Sequence, residues 1–310
     1  MRVIDGDEVA RTLDHARGIA LVRAAMIALA QGHSAQLLRG ILDLGGGNAF
    51  GVMPGALDGA GFGAKVVSVY PAAAGRSHQG VIVLFDRDSG APVCVVDAGE
   101  VTAIRTACAS AVATDALARS DATTLALLGT GEQAWHHALA LRHVRPLSRI
   151  AVWGRDAGKA HAFAERVRAG LGVPARAFAS VREATHGADI VCTLTAASEP
   201  ILRFDDVAAG CHVNAVGSSR AGPVEIDPWF VSRARFIPDH REGVLAQGAE
   251  VLRALEEGSA TQADVGPDIG HVLAGDAPGR TNPREVTVYK SLGSIVQDLA
   301  CAAWLRQAAP

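Results

Sequence analysis

The spacing of apolar positions changes character along the chain. Over residues 7–31, Ile19, Leu21, Val22, Ala25, Met26 and Leu29 recur at helical intervals and predict a helix. Gly45-Gly46-Gly47-Asn48 marks a turn. Strand-like runs then cover residues 63–70, 79–86 and 91–96, the last two joined by Asp88-Ser89-Gly90 as a hairpin turn. This first third reads as an α+β unit. From Thr106 the pattern differs. An alanine-rich helix reaches about residue 119, and the short apolar strand 124–128 runs directly into Gly129. Strands over 148–153, 189–195 and 212–216, and one opening at Phe236-Ile237, alternate with helices over 157–169, after Ser180, and over 242–257. Ser180 and Glu183 have the spacing of a capping box. Continuous apolar strands alternating with helices predict a parallel, doubly wound sheet covered on both faces. A last apolar helix, 291–305, would return to the first unit. The expected class is α/β: a Rossmann doubly wound domain over 108–285, plus an α+β substrate and dimerisation domain over 1–107 joined by 286–310.

The bulk numbers narrow the partners. A chain of 310 residues exceeds one ordinary core, which agrees with two domains. The net charge is −3 with both signs dispersed, so no basic stripe offers itself to nucleic acid. Residues 1–11 carry Asp5, Asp7 and Glu8 in place of the apolar core of a secretory signal. No apolar run approaches the ~18 residues of a membrane span. Cys94, Cys108, Cys192, Cys211 and Cys301 are far apart and form no C-x-x-C pair, which predicts reduced thiols in the cytoplasm. Metal-ligand spacing such as H-E-x-x-H is missing, and so is a G-x-S-x-G elbow. No metal is expected; His78, His136 and His137 read as helix or loop histidines.

Gly129-Thr130-Gly131-Glu132-Gln133-Ala134 is a G-x-G-x-x-A turn with a strand before it and a helix after it. In that setting the first glycine allows the tight turn. The second lets backbone approach a pyrophosphate, and Ala134 permits close helix–strand packing. The helix N-terminus adds free N–H groups and positive dipole. The next strand ends at Trp153-Gly154-Arg155, where NAD enzymes usually carry an acid for the ribose 2′-OH. Without that acid, and with Arg155 able to pair with a 2′-phosphate, NADP(H) is favoured. NAD(H) stays open through Asp156, which either caps the next helix or turns back to the ribose.

Arg39, Lys65 and Arg105 stand out ahead of this domain. Singly, the arginines read as surface ion pairs, and Lys65 as an edge position with its head in water. Jointly they read as a cationic pocket for a carboxylate.

Several segments carry a resemblance over nearly the whole chain. They are Gly51-Val-Met-Pro54, Lys65-Val-Val-Ser-Val-Tyr-Pro71, Ser77-His-Gln-Gly80 and Thr102-Ala-Ile-Arg-Thr-Ala107, then Gly129 to Ala134, Val152-Trp-Gly-Arg155, Asn214-Ala-Val-Gly217 and Tyr289-Lys-Ser-Leu-Gly293. In this order they resemble the ornithine cyclodeaminase/mu-crystallin family. The resemblance implies a homodimer acting on a small imino or amino acid. It implies that Arg39, Lys65 and Arg105 bind substrate, with Met53 and Ser77 beside them, and that Lys65 and Arg105 are catalytic. It also implies that Arg105, Thr106 and Ser219 lie at the cofactor. Two departures matter. Ornithine cyclodeaminases carry acids where this chain has Gly51 and Ser219. Cyclodeamination needs carboxylates to take and return protons. The segment Val216-Gly-Ser-Ser-Arg220 and the NADP preference instead resemble the ketimine reductase branch. The expected activity is therefore NAD(P)H-dependent reduction of cyclic imino acids such as pyrroline- or piperideine-2-carboxylate. The rivals are an NAD-dependent ornithine cyclodeaminase, an alanine-type dehydrogenase, and a mu-crystallin-like binder with little catalysis.

Overall fold

The computed structural model describes residues 1–70, 73 and 78–308. The chain forms two compact units, one of Met1–Thr106 with Gly293–Pro310 and one of Ala107–Leu292.

The first unit contains one sheet built from β1 (Arg2–Ile4), β2 (Ser34–Gln36), β3 (Gly40–Gly45), β4 (Asn48–Leu57), β5 (Gly61–Val69), β6 (His78–Phe85) and β7 (Pro92–Asp97). Its order is β1-β7-β6-β5-β4-β2, with β3 also on β4. Only β1 and β7 pair in parallel; the rest is antiparallel. The expected helix over 7–31 is two helices, Gly6–Thr12 and His15–Ala30. Asp14 breaks it by leaving helical geometry to accept a hydrogen bond from Arg17 N at 2.7 Å, a capping role that short acids favour. The hairpin turn forms as expected: Asp86 Oδ1 accepts from Ser89 N at 3.0 Å, and Gly90 has φ of 67°. Helix Ile295–Gln307 covers one face of the sheet and packs on helix His15–Ala30, which explains why nearly all of its residues are buried. On the opposite face Leu42, Phe50, Phe62 and Val81 are exposed.

The second unit carries β8 (Thr124–Leu128), β9 (Arg149–Trp153), β10 (Ala175–Ala177), β11 (Ile190–Thr193), β12 (His212–Ala215), β13 (Arg235–Pro238) and β14 (Thr287–Lys290). The order is β10-β9-β8-β11-β12-β14-β13, parallel throughout. This is the doubly wound sheet expected from the continuous apolar runs, and β11 and β12 are buried at every residue. The connection order reverses between β8 and β11, which places a ligand crevice outside their carboxyl ends.

Other boundaries also differ from expectation. The stretch over 287–290 is β14 of the parallel sheet, so the first unit resumes at Gly293 and not at 286. The alanine-rich helix spans Ala98–Leu117, so Thr102 to Thr106 is helical. The helix expected over 242–257 divides at Gly248 into Arg241–Gln247 and Ala249–Glu256. Among the described residues no helix is long and apolar enough to cross a membrane.

Candidate dinucleotide and carboxylate sites

In the second unit the glycine turn follows β8 and opens helix Glu132–Leu141. Gly129 has φ of 135°, and a Cβ there would lie 2.5 Å from Leu194 O. Left-handed geometry and close backbone approach therefore both require glycine. Gly131 is different. It is the helix N-cap with φ of −86° and no side-chain cap, and nothing lies within 4 Å of where its Cβ would be. Packing within the protein gives no reason for that glycine, and a helix N-terminus without a side-chain cap is a setting that suits a phosphate. Thr130 lies against Gly154, where a Cβ would be 2.8 Å from Thr130 Cγ2. Glu132 is exposed, Gln133 is half-buried and Ala134 is fully buried. These residues fit a dinucleotide. Arg155 is exposed just past β9, and the Asp156 carboxylate caps helix Ala157–Leu171 by accepting from Lys159 N at 3.0 Å.

Beyond β11 and β12 the same crevice is walled by loops. Ser219 is half-buried in the loop after β12. Beneath it Glu225 is fully buried, as are Lys290 and Glu250, which pair at 2.7 Å. Burial raises the Glu225 carboxyl pKa, against the opposing pull of hydrogen bonds from Thr195 and Thr193 and the charge of Lys290.

The first unit brings the basic residues together. Lys65 stands in β5, where its cross-strand neighbours are Met53 and Ile82, and all three are buried. It is thus on the helix-covered face and not at an edge with its head in water. Arg105 is 4% exposed. Both cations meet one oxygen of Asp298, Lys65 Nζ at 3.3 Å and Arg105 Nε at 3.2 Å. Lys65 also donates to Thr102 Oγ1, and Arg105 Nη1 donates to Gln297 Oε1 at 3.1 Å. Arg39 Nη2 donates to Gly293 O at 2.7 Å. Gly293 has φ of 87°, and a Cβ on it would lie 2.9 Å from Arg105 Nη1, so the two arginines flank one glycine. Burial pulls the Lys65 pKa down to about 8, Asp298 raises it, and Arg105 and Arg39 lower it further. Two buried cations thus share a single carboxylate, with a third cation near enough to act on Lys65. Buried like charges are costly unless an anion joins them, and such arrangements cluster at functional sites.

Burial lowers the His78 pKa, and Lys65 and Arg105 reinforce that, so His78 borders the same cluster. Thr106 Oγ1 is buried and accepts no hydrogen bond among the described residues. Ser77 lies outside the described residues. Asp298, Gln297 and Thr102 escaped sequence reasoning. A lone acid in the apolar helix Ile295–Gln307 is a signal for the first, while nothing local marks the other two. Glu225, Glu250 and Lys290 gave no sequence signal either, because the burial of every residue of β14 is seen only in the structure.

The family model for the ornithine cyclodeaminase/mu-crystallin family matches residues 7–309. The chain is 34% identical over 263 residues to a Bacillus cereus Delta(1)-pyrroline-2-carboxylate reductase, covering 83% of this chain and 81% of that protein. It is 36% identical over 226 residues to the mouse ketimine reductase mu-crystallin, covering 73% and 68%. The solved structure of Thermococcus litoralis Delta(1)-pyrroline-2-carboxylate reductase, in complex with NADH and L-proline, superposes with a TM-score of 0.96. That structure is 29% identical, and the match covers 99% of this chain and 97% of that one.

Proposed function

The chain belongs to the ornithine cyclodeaminase/mu-crystallin family, and from that premise we propose that it is an NAD(P)H-dependent reductase of small cyclic imino acids of the pyrroline-2-carboxylate or piperideine-2-carboxylate type. The observation that carries this reading is the shared grip of Lys65 and Arg105 on Asp298, with Arg39 and Arg105 flanking Gly293.

Arg39 and Arg105 bind the substrate carboxylate, with a fork geometry suited to two oxygens. Positioning of this kind removes up to roughly 7–11 kcal/mol of barrier in ideal cases. Lys65 holds a proton at Nζ for the ring nitrogen, because an imine accepts hydride readily only when protonated. Asp298 keeps both cations in place. Met53 lines the ring, and Ser219 faces the cofactor. Gly129 to Ala134 hold the pyrophosphate at the helix N-terminus. When bound, the reduced nicotinamide supplies the hydride. With its carboxylate committed to a helix cap, Asp156 leaves Arg155 as the ribose-side group, which favours NADP(H) over NAD(H). The lack of acids at Gly51 and Ser219 weighs against the cyclodeaminase rival. The exposed apolar sheet face fits a homodimer, and five buried cysteines that form no disulfide among the described residues fit the cytoplasm.

The test is reduction of pyrroline-2-carboxylate by the purified protein. Proline should form with NADPH in preference to NADH, the preference should shrink in Arg155→Ala, and ornithine should release no ammonia. Absence of turnover with either cofactor across pH 5–8 would overturn the proposal. Lys65→Ala separates a reductase, which loses rate, from a binder, which loses only ligand affinity.

A further inference from the structure

The second unit buries a carboxylate that none of the proposed chemistry uses. Glu225 Oε1 accepts from Thr195 N at 2.6 Å and from Thr195 Oγ1 at 2.7 Å. Its Oε2 accepts from Thr193 Oγ1 at 2.7 Å and from Gly217 N at 2.6 Å. Four donors thus converge from the end of β11, the loop after it and the loop after β12. Gly217 must be glycine here, since a Cβ would lie 2.2 Å from Thr195 O and 2.5 Å from Glu225 Oε1.

Lys290, the last residue of β14, grips the next residue from another side. Its Nζ donates to Ser218 O at 2.6 Å while pairing with Glu250 at 2.7 Å. Both loops border the crevice at the sheet's switch point, and Leu194, between Thr193 and Thr195, is the residue against which Gly129 packs. Desolvating a carboxylate is costly, so it is a poor device for joining loops unless their path must be fixed. Four charge-assisted bonds fix it. Loops ordered in advance spare a ligand the cost of ordering them.

We propose that Glu225, backed by Lys290, is a positioning residue that sets the wall of the dinucleotide crevice on the side of Ser219. The inference rests on the dinucleotide reading above but not on the identity of the imino acid. Glu225→Gln keeps the volume and turns one acceptor into a donor, which must then face either the Thr195 donors or those of Thr193 and Gly217. Well below the melting temperature of the variant, fluorescence titration should show the Kd for NADH and NADPH raised about tenfold, the loss of one good hydrogen bond. Thr195→Val, which removes one neutral donor to Glu225 together with the Oγ1 that accepts from Ala197 N at 3.2 Å, should raise it by a smaller factor, about threefold. A purely structural role would lower the melting temperature and leave Kd unmoved. Wild-type Kd in both folded variants overturns the proposal, and where Glu225→Gln does not fold, Thr195→Val decides alone. If the wild type binds neither NADH nor NADPH, the dinucleotide reading itself falls and takes this one with it.

Discussion

At the scale of single residues, Lys65 is the group whose state sets the rate in the proposed reaction. Its ammonium is costly where it stands, and burial brings its pKa to about 8 from an ordinary 10.5. As proton donor to the ring nitrogen it must be charged, so reduction should be full below that value and fade as pH rises through about 8. Asp298 is the neighbour that raises it. In Asp298→Asn the falling limb of the pH–rate profile should therefore move to lower pH. Lys65→Met should abolish the limb and cost ~10²–10⁴ in kcat, the usual weight of general acid catalysis. Steady-state rates from pH 6 to 9 on the three proteins check this. Sequence alone could not assemble the cluster. Lys65 and Asp298 are 233 positions apart, and no periodicity links a strand to a helix at that distance. What it offered was three cations of unusual placement, one of them within an apolar strand.

At the scale of elements, legibility followed burial. The strand read over 124–128 is β8 to the residue, because parallel strands covered on both faces leave unbroken apolar runs. β3 was missed because all of its residues are exposed, and β4 because Gly51, Pro54 and Gly55 interrupt its alternation. β14 was missed because it is short and ends in Lys290, whose charge is balanced by distant Glu250. The glycine turn lets two roles of one residue type be separated. Gly129→Ala should be destabilised by ~1–3 kcal/mol or more through backbone strain and the contact with Leu194. Gly131→Ala meets nothing in the protein, so beyond the small cost of alanine at an N-cap its melting temperature should fall far less than that of Gly129→Ala. Its affinity for NADPH should nonetheless fall at least about tenfold, because the methyl occupies the place left for a phosphate. Melting curves beside cofactor titrations for the two variants distinguish strain from lost ligand space.

At the scale of the whole molecule, the sheet of the first unit is apolar on both faces while helices cover one. Leu42 is 60% exposed and lies across from Phe50, and Val81 is paired with Val66 on the same side. A solvated antiparallel face ordinarily alternates to polar residues. We expect sedimentation to give the mass of a dimer, and Phe50→Asp with Val81→Asp to give a folded monomer; a monomeric wild type at micromolar concentration would remove this surface from consideration. The way the first unit is stitched from both parts of the chain also bears on how the protein is made. Residues 1–106 leave the ribosome long before 293–308, so Lys65 and Arg105 wait through most of translation for the acid that balances them. The contiguous second unit faces no such delay. An interrupted message would thus yield a nucleotide-binding half able to fold and a partner half with uncompensated charge in its interior, a product that quality control should recognise and remove.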